Sequence, residues 1–347
     1  MNVSRRRFGA AAAALGAAVS FPALAWAPTV RSLVRPPRLK RGDVAGLIAP
    51  GGHLSDAEIE KSVRNLESLG LTVKLGANVR LQRGNYGGTP FQQVQDLHAM
   101  FADREVKALW AGRGGSGGAQ VLPYVDWKLV RANPKILCGY SDVTALHLAM
   151  LRQAGLVTFH APQAISTWSD YSREHLVAAI MEPRPGHVIR AAAENIAKAA
   201  RQPEFAERVV RPGVAEGPLV GGNLSVLSAL AGTPYGARMK GCIAFLEDIG
   251  EAPYRINRML MHVTLTGDLP SAAGLMLGVF VKCHAPEGEA SLTLEETLVD
   301  RAYPLGIPAA IGMSFGHIAQ QITLPMGIRA RFDAGERTLA LLEAAVV

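Results

Sequence analysis

Between Val44 and His160, short apolar runs alternate with stretches of helical periodicity. VAGLIAP (44–50) reads as a buried strand. Ser55 followed three residues later by Glu58 is a capping-box pattern, opening a helix that ends near Gly70, and LTVKLG follows as the next strand. A helix around Phe91 to Phe101, a strand at Val106 to Ala111, a glycine-rich turn, a strand at Lys135 to Cys138, a helix from about Asp142 to Gln153 and VTFH (157–160) continue the series. Strands that alternate with helices need crossover connections, so the expected fold is α/β, with a mainly parallel sheet covered on both faces by helices. Ligands in such a fold sit at the carboxyl ends of the strands.

The second half reads differently. From Pro183 to Gly213 the sequence is irregular, with Pro183, Pro185, Pro203 and Pro212 around an alanine-rich piece. Beyond it come GGNLSVLSALAG, a strand CIAFLED (242–248), a helix from about Pro253 to Leu265, and a strand near Leu275 to Val281. At the end, IRARF and TLALLE flank the turn signal Asp333-Ala334-Gly335-Glu336. The expected organisation is a leader at 1–27, a linker at 28–41, an N-terminal α/β domain at 42–182, an inter-domain linker at 183–213 and a C-terminal domain of mixed α and β at 214–347.

The leader, SRRRFGAAAAALGAAVSFPALAWA, places basic residues before an alanine-rich apolar stretch and small residues, and Ser4-Arg5-Arg6-Arg7-Phe8 resembles a twin-arginine export signal. Its apolar run is shorter than the ~20 residues of a membrane span. No later stretch is long and apolar enough to span, so the mature chain is expected to be soluble and periplasmic. The formal charge of +7 belongs to the same region, because residues 1–41 carry eight arginines and lysines and no acid, leaving −1 for the rest. A nearly neutral body argues against a nucleic-acid partner. Cys138, Cys242 and Cys283 are odd in number, lack CxxC spacing and lie in apolar runs, which reads as buried thiols.

KILCGYSDVTALHL (135–148) puts Ser141 between a strand-like and a helix-like run. A serine on such a turn is held away from the backbone, while the amides of the helix's first turn can stabilise an oxyanion. The nucleophile-elbow pattern also wants a glycine two residues on, where this chain has Val143, and the motif alone leaves a nucleophile and a simple helix cap equally open. GRGGSGG (112–118) satisfies GxGxxG but lacks the acid that nucleotide binding requires at the end of the next strand, so a loop donating amides beside the elbow fits better. Glu247, at the end of CIAFLE, and His317, in SFGH, follow Ser141 in the chain order of elbow hydrolases. His147 and His160 read as structural or as bystanders. No HExxH or comparable ligand spacing suggests a metal.

The blocks GRGGSGGAQVLPYVDW, CGYSDVTALH, GLVTFHAP, GGNLSVL, FLEDIGEAPYRINRML and SFGH…TLPMG, in this order from about Gly42 to the C-terminus, resemble the LD-carboxypeptidases, a family of serine peptidases related to microcin C immunity proteins. The resemblance implies two domains with the site between them, and commonly a homodimer. Ser141 in GYSD takes the place of the nucleophile, Glu247 in LED that of the acid and His317 in FGH that of the base. The amides of Asp142 and Gly115 would form the oxyanion hole. Ser116 departs from the family, since many relatives carry an aromatic residue there; it is also a rival nucleophile, without a strand to fix it. The implied reaction is release of the terminal D-Ala from murein tetrapeptides through an acyl-enzyme, with no cofactor. Arg113 and Arg255 are candidates for the substrate's free carboxylate, against ordinary ion pairing. Two rival functions are hydrolysis of peptidyl-nucleotide amides, as in microcin immunity, and non-catalytic murein binding.

Overall fold

The computed structural model describes residues 32–266, 269–285 and 287–347. The leader falls outside them. The strands, in chain order, are β1 (Val44–Ile48), β2 (Thr72–Leu75), β3 (Val106–Ala111), β4 (Ile136–Gly139), β5 (Phe159–His160), β6 (Val188–Ile189), β7 (Arg208–Arg211), β8 (Val214–Asn223), β9 (Ile243–Glu247), β10 (Gly274–Leu277), β11 (Ala309–Ile311), β12 (Leu324–Pro325), β13 (Arg329–Asp333) and β14 (Thr338–Leu341). They form two sheets.

The first has the order β12-β5-β4-β3-β1-β2, parallel except where β12 runs against β5. Strand order reverses between β1 and β3, which makes the carboxyl ends of those strands the natural binding crevice. The glycine loop after β3 and the Ser141 turn after β4 both open there. The Ser55–Glu58 capping box closes as its pattern predicts, with Glu58 N–H donating to Ser55 Oγ at 3.3 Å and Ser55 N–H to Glu58 Oε2 at 2.8 Å.

The second sheet, β6-β14-β13-β8-β9-β10-β11-β7, is parallel across β8 to β11 and antiparallel at both flanks. One apolar core runs without a break from Leu109, Val143 and Leu146 of the first sheet's layer to Leu224, Phe245 and Phe315 of the second. The two halves therefore share buried surface, at about 25 cal/mol per Å² of apolar area removed from water.

Two expected linkers are corrected. Val34 bridges to Leu156, Arg38 N–H donates to Val347 O at 2.8 Å and Leu39 is buried, so the described part of 28–41 is packed onto the body. Residues 183–213 supply β6 and β7 to the second sheet and a helix, Ala193–Lys198, whose Asn195 donates to Ser314 Oγ at 2.9 Å. In the other direction, β12 belongs to the first sheet although it lies far along the chain. Cys138, Cys242 and Cys283 are all buried. Among the described residues no helix is long and apolar enough to cross a membrane.

Candidate active site

Strand β4 ends in Gly139, where a Cβ would come within 2.9 Å of Val143 Cγ2. That close approach lets the chain turn at once into Ser141–Val143, a single 3₁₀ turn, and then into the helix Thr144–Ala149. Val143, Ala145, Leu146 and Ala149 are all buried, which pins this segment to the core. Ser141 itself has φ +61°, left-handed backbone that a side chain bearing Cβ adopts at a cost of about 1–2 kcal/mol. Its side chain makes no cap; the cap positions fall on Tyr140 and Val143. The hydroxyl is aimed elsewhere.

It meets His317 Nε2 at 2.9 Å, and His317 Nδ1 meets Glu247 Oε2 at 2.7 Å. Glu247 is the last residue of β9 and fully buried, and its Oε1 has no partner among the described residues. Tyr140 stacks edge-on against His317 with ring centroids 4.9 Å apart. Burial disfavours a charged His317, but the charge and hydrogen bond of Glu247, with Asp248 beyond it, outweigh that and raise its pKa above the ordinary value.

The glycine loop lies against the same serine. A Cβ on Gly114 would stand 3.0 Å from Ser141 Cβ and 3.1 Å from its Oγ. Gly114 O accepts from Gly52 N–H at 2.6 Å, in the loop after β1. Because a trans peptide points its C=O and N–H in opposite directions, the Gly115 N–H is turned away from Gly52. Gly115 needs its glycine, with φ +139° and a Cβ position 2.5 Å from Gly52 N. Neither the Gly115 nor the Asp142 amide has an acceptor among the described residues. The Asp142 carboxylate is buried and accepts from Gly118 N–H at 2.8 Å, tying the far end of the loop to the elbow. Burial raises its pKa against the opposing hydrogen bonds of Gly118 and Gly117.

The other sequence candidates separate from this centre. Ser116 Oγ accepts from Asn85 Nδ2 at 3.0 Å and has no histidine partner among the described residues. Arg113 pairs with Glu58 at 3.2 Å, and Arg255 pairs with Glu251 at 3.5 Å. His147 is buried between Thr158 Oγ1 and Gly139 O, each at 2.9 Å, and burial lowers its pKa to about 4. His160 packs among Tyr140, Phe245 and Phe315, and burial holds it well below its usual pKa. Sequence reasoning passed over Tyr140 and Gln163, whose Nε2 donates to Tyr140 O at 2.9 Å. It also passed over Thr144, Asn223 and Asp248. Single polar residues beside apolar runs carry no spacing signal, and only the fold brings them together.

A serine, a histidine and a buried carboxylate in hydrogen-bonded line, with a glycine loop against the serine, form the arrangement found in serine hydrolases of elbow type. The comparison with known proteins is narrower. Residues 45–161 match the LD-carboxypeptidase N-terminal domain and residues 216–332 the LD-carboxypeptidase C-terminal domain, and the chain belongs to this family of peptidases. A Bacillus subtilis protein named as a probable murein peptide carboxypeptidase is 38% identical over 313 residues, covering 90% of this chain and 95% of the relative. The murein tetrapeptide carboxypeptidase of Pseudomonas aeruginosa is 31% identical over 287 residues, covering 81% and 90%. Among solved structures, an MccF-like protein from Bacillus anthracis superposes with a TM-score of 0.75 at 26% identity, covering 88% of this chain and 98% of that one.

Proposed function

We propose that the protein is a serine LD-carboxypeptidase that removes the terminal D-Ala from murein tetrapeptides. The observation that carries this reading is the Ser141–His317–Glu247 line, at 2.9 Å and 2.7 Å, in a chain of the LD-carboxypeptidase family. In the proposed reaction His317 Nε2 takes the Ser141 proton as Oγ bonds to the carbonyl carbon of the scissile amide. Glu247 holds the ring in the tautomer with the proton on Nδ1 and stabilises the imidazolium that forms. The amides of Asp142 and Gly115 receive the oxyanion. Collapse breaks the C–N bond, His317 gives its proton to the leaving D-Ala amine, and water attacks the resulting ester by the same route.

Arg113 remains the candidate for the substrate's free carboxylate, since it adjoins Gly114 and needs only to exchange Glu58 for the ligand. Its fork suits a carboxylate. Arg255, paired within its own segment, is set aside. The twin-arginine-like leader supports action in the periplasm, where stem peptides of the wall are the accessible substrate.

The test is incubation with defined tetrapeptides and tripeptides, and with an aminoacyl sulfamoyl nucleoside, followed by mass spectrometry. Loss of D-Ala from tetrapeptides alone supports the proposal. Cleavage of the nucleoside conjugate in place of the peptides would move the protein to the immunity-type activity, and no turnover of either would leave a binding role.

A further inference from the structure

We infer that Thr144, Asn223 and Asp248 form a positioning strut that fixes the turn bearing Ser141 against the strand end bearing Glu247. The inference rests on the serine-nucleophile reading above and adds residues that this reading does not use. Ser141 belongs to the first sheet's layer, whereas Glu247 and His317 belong to the second. The 2.9 Å Ser141–His317 contact therefore depends on how two separately built pieces are held in register.

The strut spans that gap. Thr144, three residues past Ser141 and fully buried, accepts from Asn223 N–H at 3.0 Å through its Oγ1. Asn223 ends β8, and its Nδ2 donates to Asp248 Oδ1 at 2.9 Å. Asp248 directly follows Glu247 and is itself buried, and its remaining acceptor sites are filled by Ser225 N–H at 2.9 Å, Ser225 Oγ at 2.7 Å and Ile249 N–H at 2.9 Å. A carboxylate gripped from four directions cannot swing. Asn223 is fixed too, since its Oδ1 accepts from Val226 N–H at 3.2 Å as the cap of the helix Leu224–Leu230.

Gly222 makes the contact possible, because a Cβ there would fall 2.5 Å from Thr144 Oγ1. Between residues 139–149 and strands β8 and β9, the Thr144–Asn223 bond is the one hydrogen bond among the described residues. Apolar packing between these particular segments does not choose a register to a few tenths of an ångström. A directional bond does choose one, and misplacement by 1 Å costs on the order of 10²-fold in rate.

Thr144→Val keeps the shape and removes the acceptor; Thr144→Ser keeps it. The probe is a fluorophosphonate reagent, whose reaction with Ser141 needs the Ser–His alignment but no knowledge of the substrate. Thr144→Val should label about 10- to 100-fold more slowly, and kcat on tetrapeptide should fall in parallel with KM within about twofold. Thr144→Ser should return both to near the wild-type rate. A folded Thr144→Val that labels and turns over like wild type overturns the strut. If Thr144→Val does not fold, Asp248→Asn carries the test, with about tenfold slower labelling expected and wild-type labelling overturning the inference. Wild type that resists labelling, or Ser141→Ala that labels equally, would instead sink the nucleophile reading, and the strut with it.

Discussion

His317 Nε2 stands 2.9 Å from Ser141 Oγ across 176 residues of chain, and the serine waits there with left-handed backbone. Strain at a hydroxyl already bonded to an imidazole marks a site where the fold gives up stability to aim a side chain.

Ser141→Ala should fold and lose at least about 10⁴-fold in kcat, because the proposed reaction forms its bond at that hydroxyl. Ser116→Ala should keep most activity, since its hydroxyl is engaged by Asn85 and has no base beside it. Parallel assays on one tetrapeptide check this pair. The reverse pattern would move the nucleophile into the glycine loop.

Much of this site can be read in the sequence because its parts terminate regular elements. Ser141 follows an apolar strand and Glu247 closes another, and both fall where strand-ending polar residues reach a crevice. The β-α alternation from Val44 was equally plain. The strands β6 and β7 were not: Val188–Ile189 is too short for a pattern, and Arg208–Arg211 is capped by charges at both ends. Partners across the sheet, β14 and β11, make them strands. Proline in β12 similarly hides an edge strand, which it can occupy because an edge leaves N–H positions unused. The orientation of the Gly115 amide depends on Gly52, a residue 63 positions away whose role no local motif announces.

Gly115→Ala should be impaired in folding or activity, since the new Cβ would meet Gly52 N at 2.5 Å and the backbone sits at φ +139°. Gly114→Ala is the more selective probe. Its Cβ would press on Ser141 and on Gln163 Nε2 at 3.0 Å, so kcat should fall by about tenfold or more with little change in melting temperature. Thermal melts alongside steady-state kinetics distinguish the two substitutions.

The leader makes a separate prediction. On the proposed twin-arginine route, replacing Arg5 and Arg6 with Lys should leave the chain in the cytoplasm. Fractionation with an antibody to the chain reads the outcome. Export that persists, and stops only when the general secretion route is blocked, would reject this route.

The rate should fall on the acid side with a midpoint above the ~6.5 of an ordinary histidine, because in the proposed reaction His317 acts while neutral, and Glu247 favours its charged form. The sign for stability is opposite: a pKa raised by folding stabilises the protein below the unfolded value, and that contribution is lost as pH rises through the folded pKa. Glu247→Gln removes the charge and leaves the burial, so the acid limb of kcat/KM should move to lower pH. A limb that stays in place would mean that another group controls it.

Glu247 and His317 should also fail as a unit. Glu247→Gln should lower kcat by about 10³- to 10⁴-fold, because a neutral amide neither stabilises the imidazolium nor enforces the tautomer, and His317→Ala should lose at least as much. The 2.7 Å Glu247–His317 bond predicts that the double variant is little worse than His317→Ala alone, since a carboxylate with no imidazole to orient has nothing left to contribute. Measuring wild type, both single variants and the double variant on one tetrapeptide closes the cycle. Were the two losses to multiply as independent factors, Glu247 would be acting on the substrate or on the fold, and the line from Ser141 through His317 would end at the histidine.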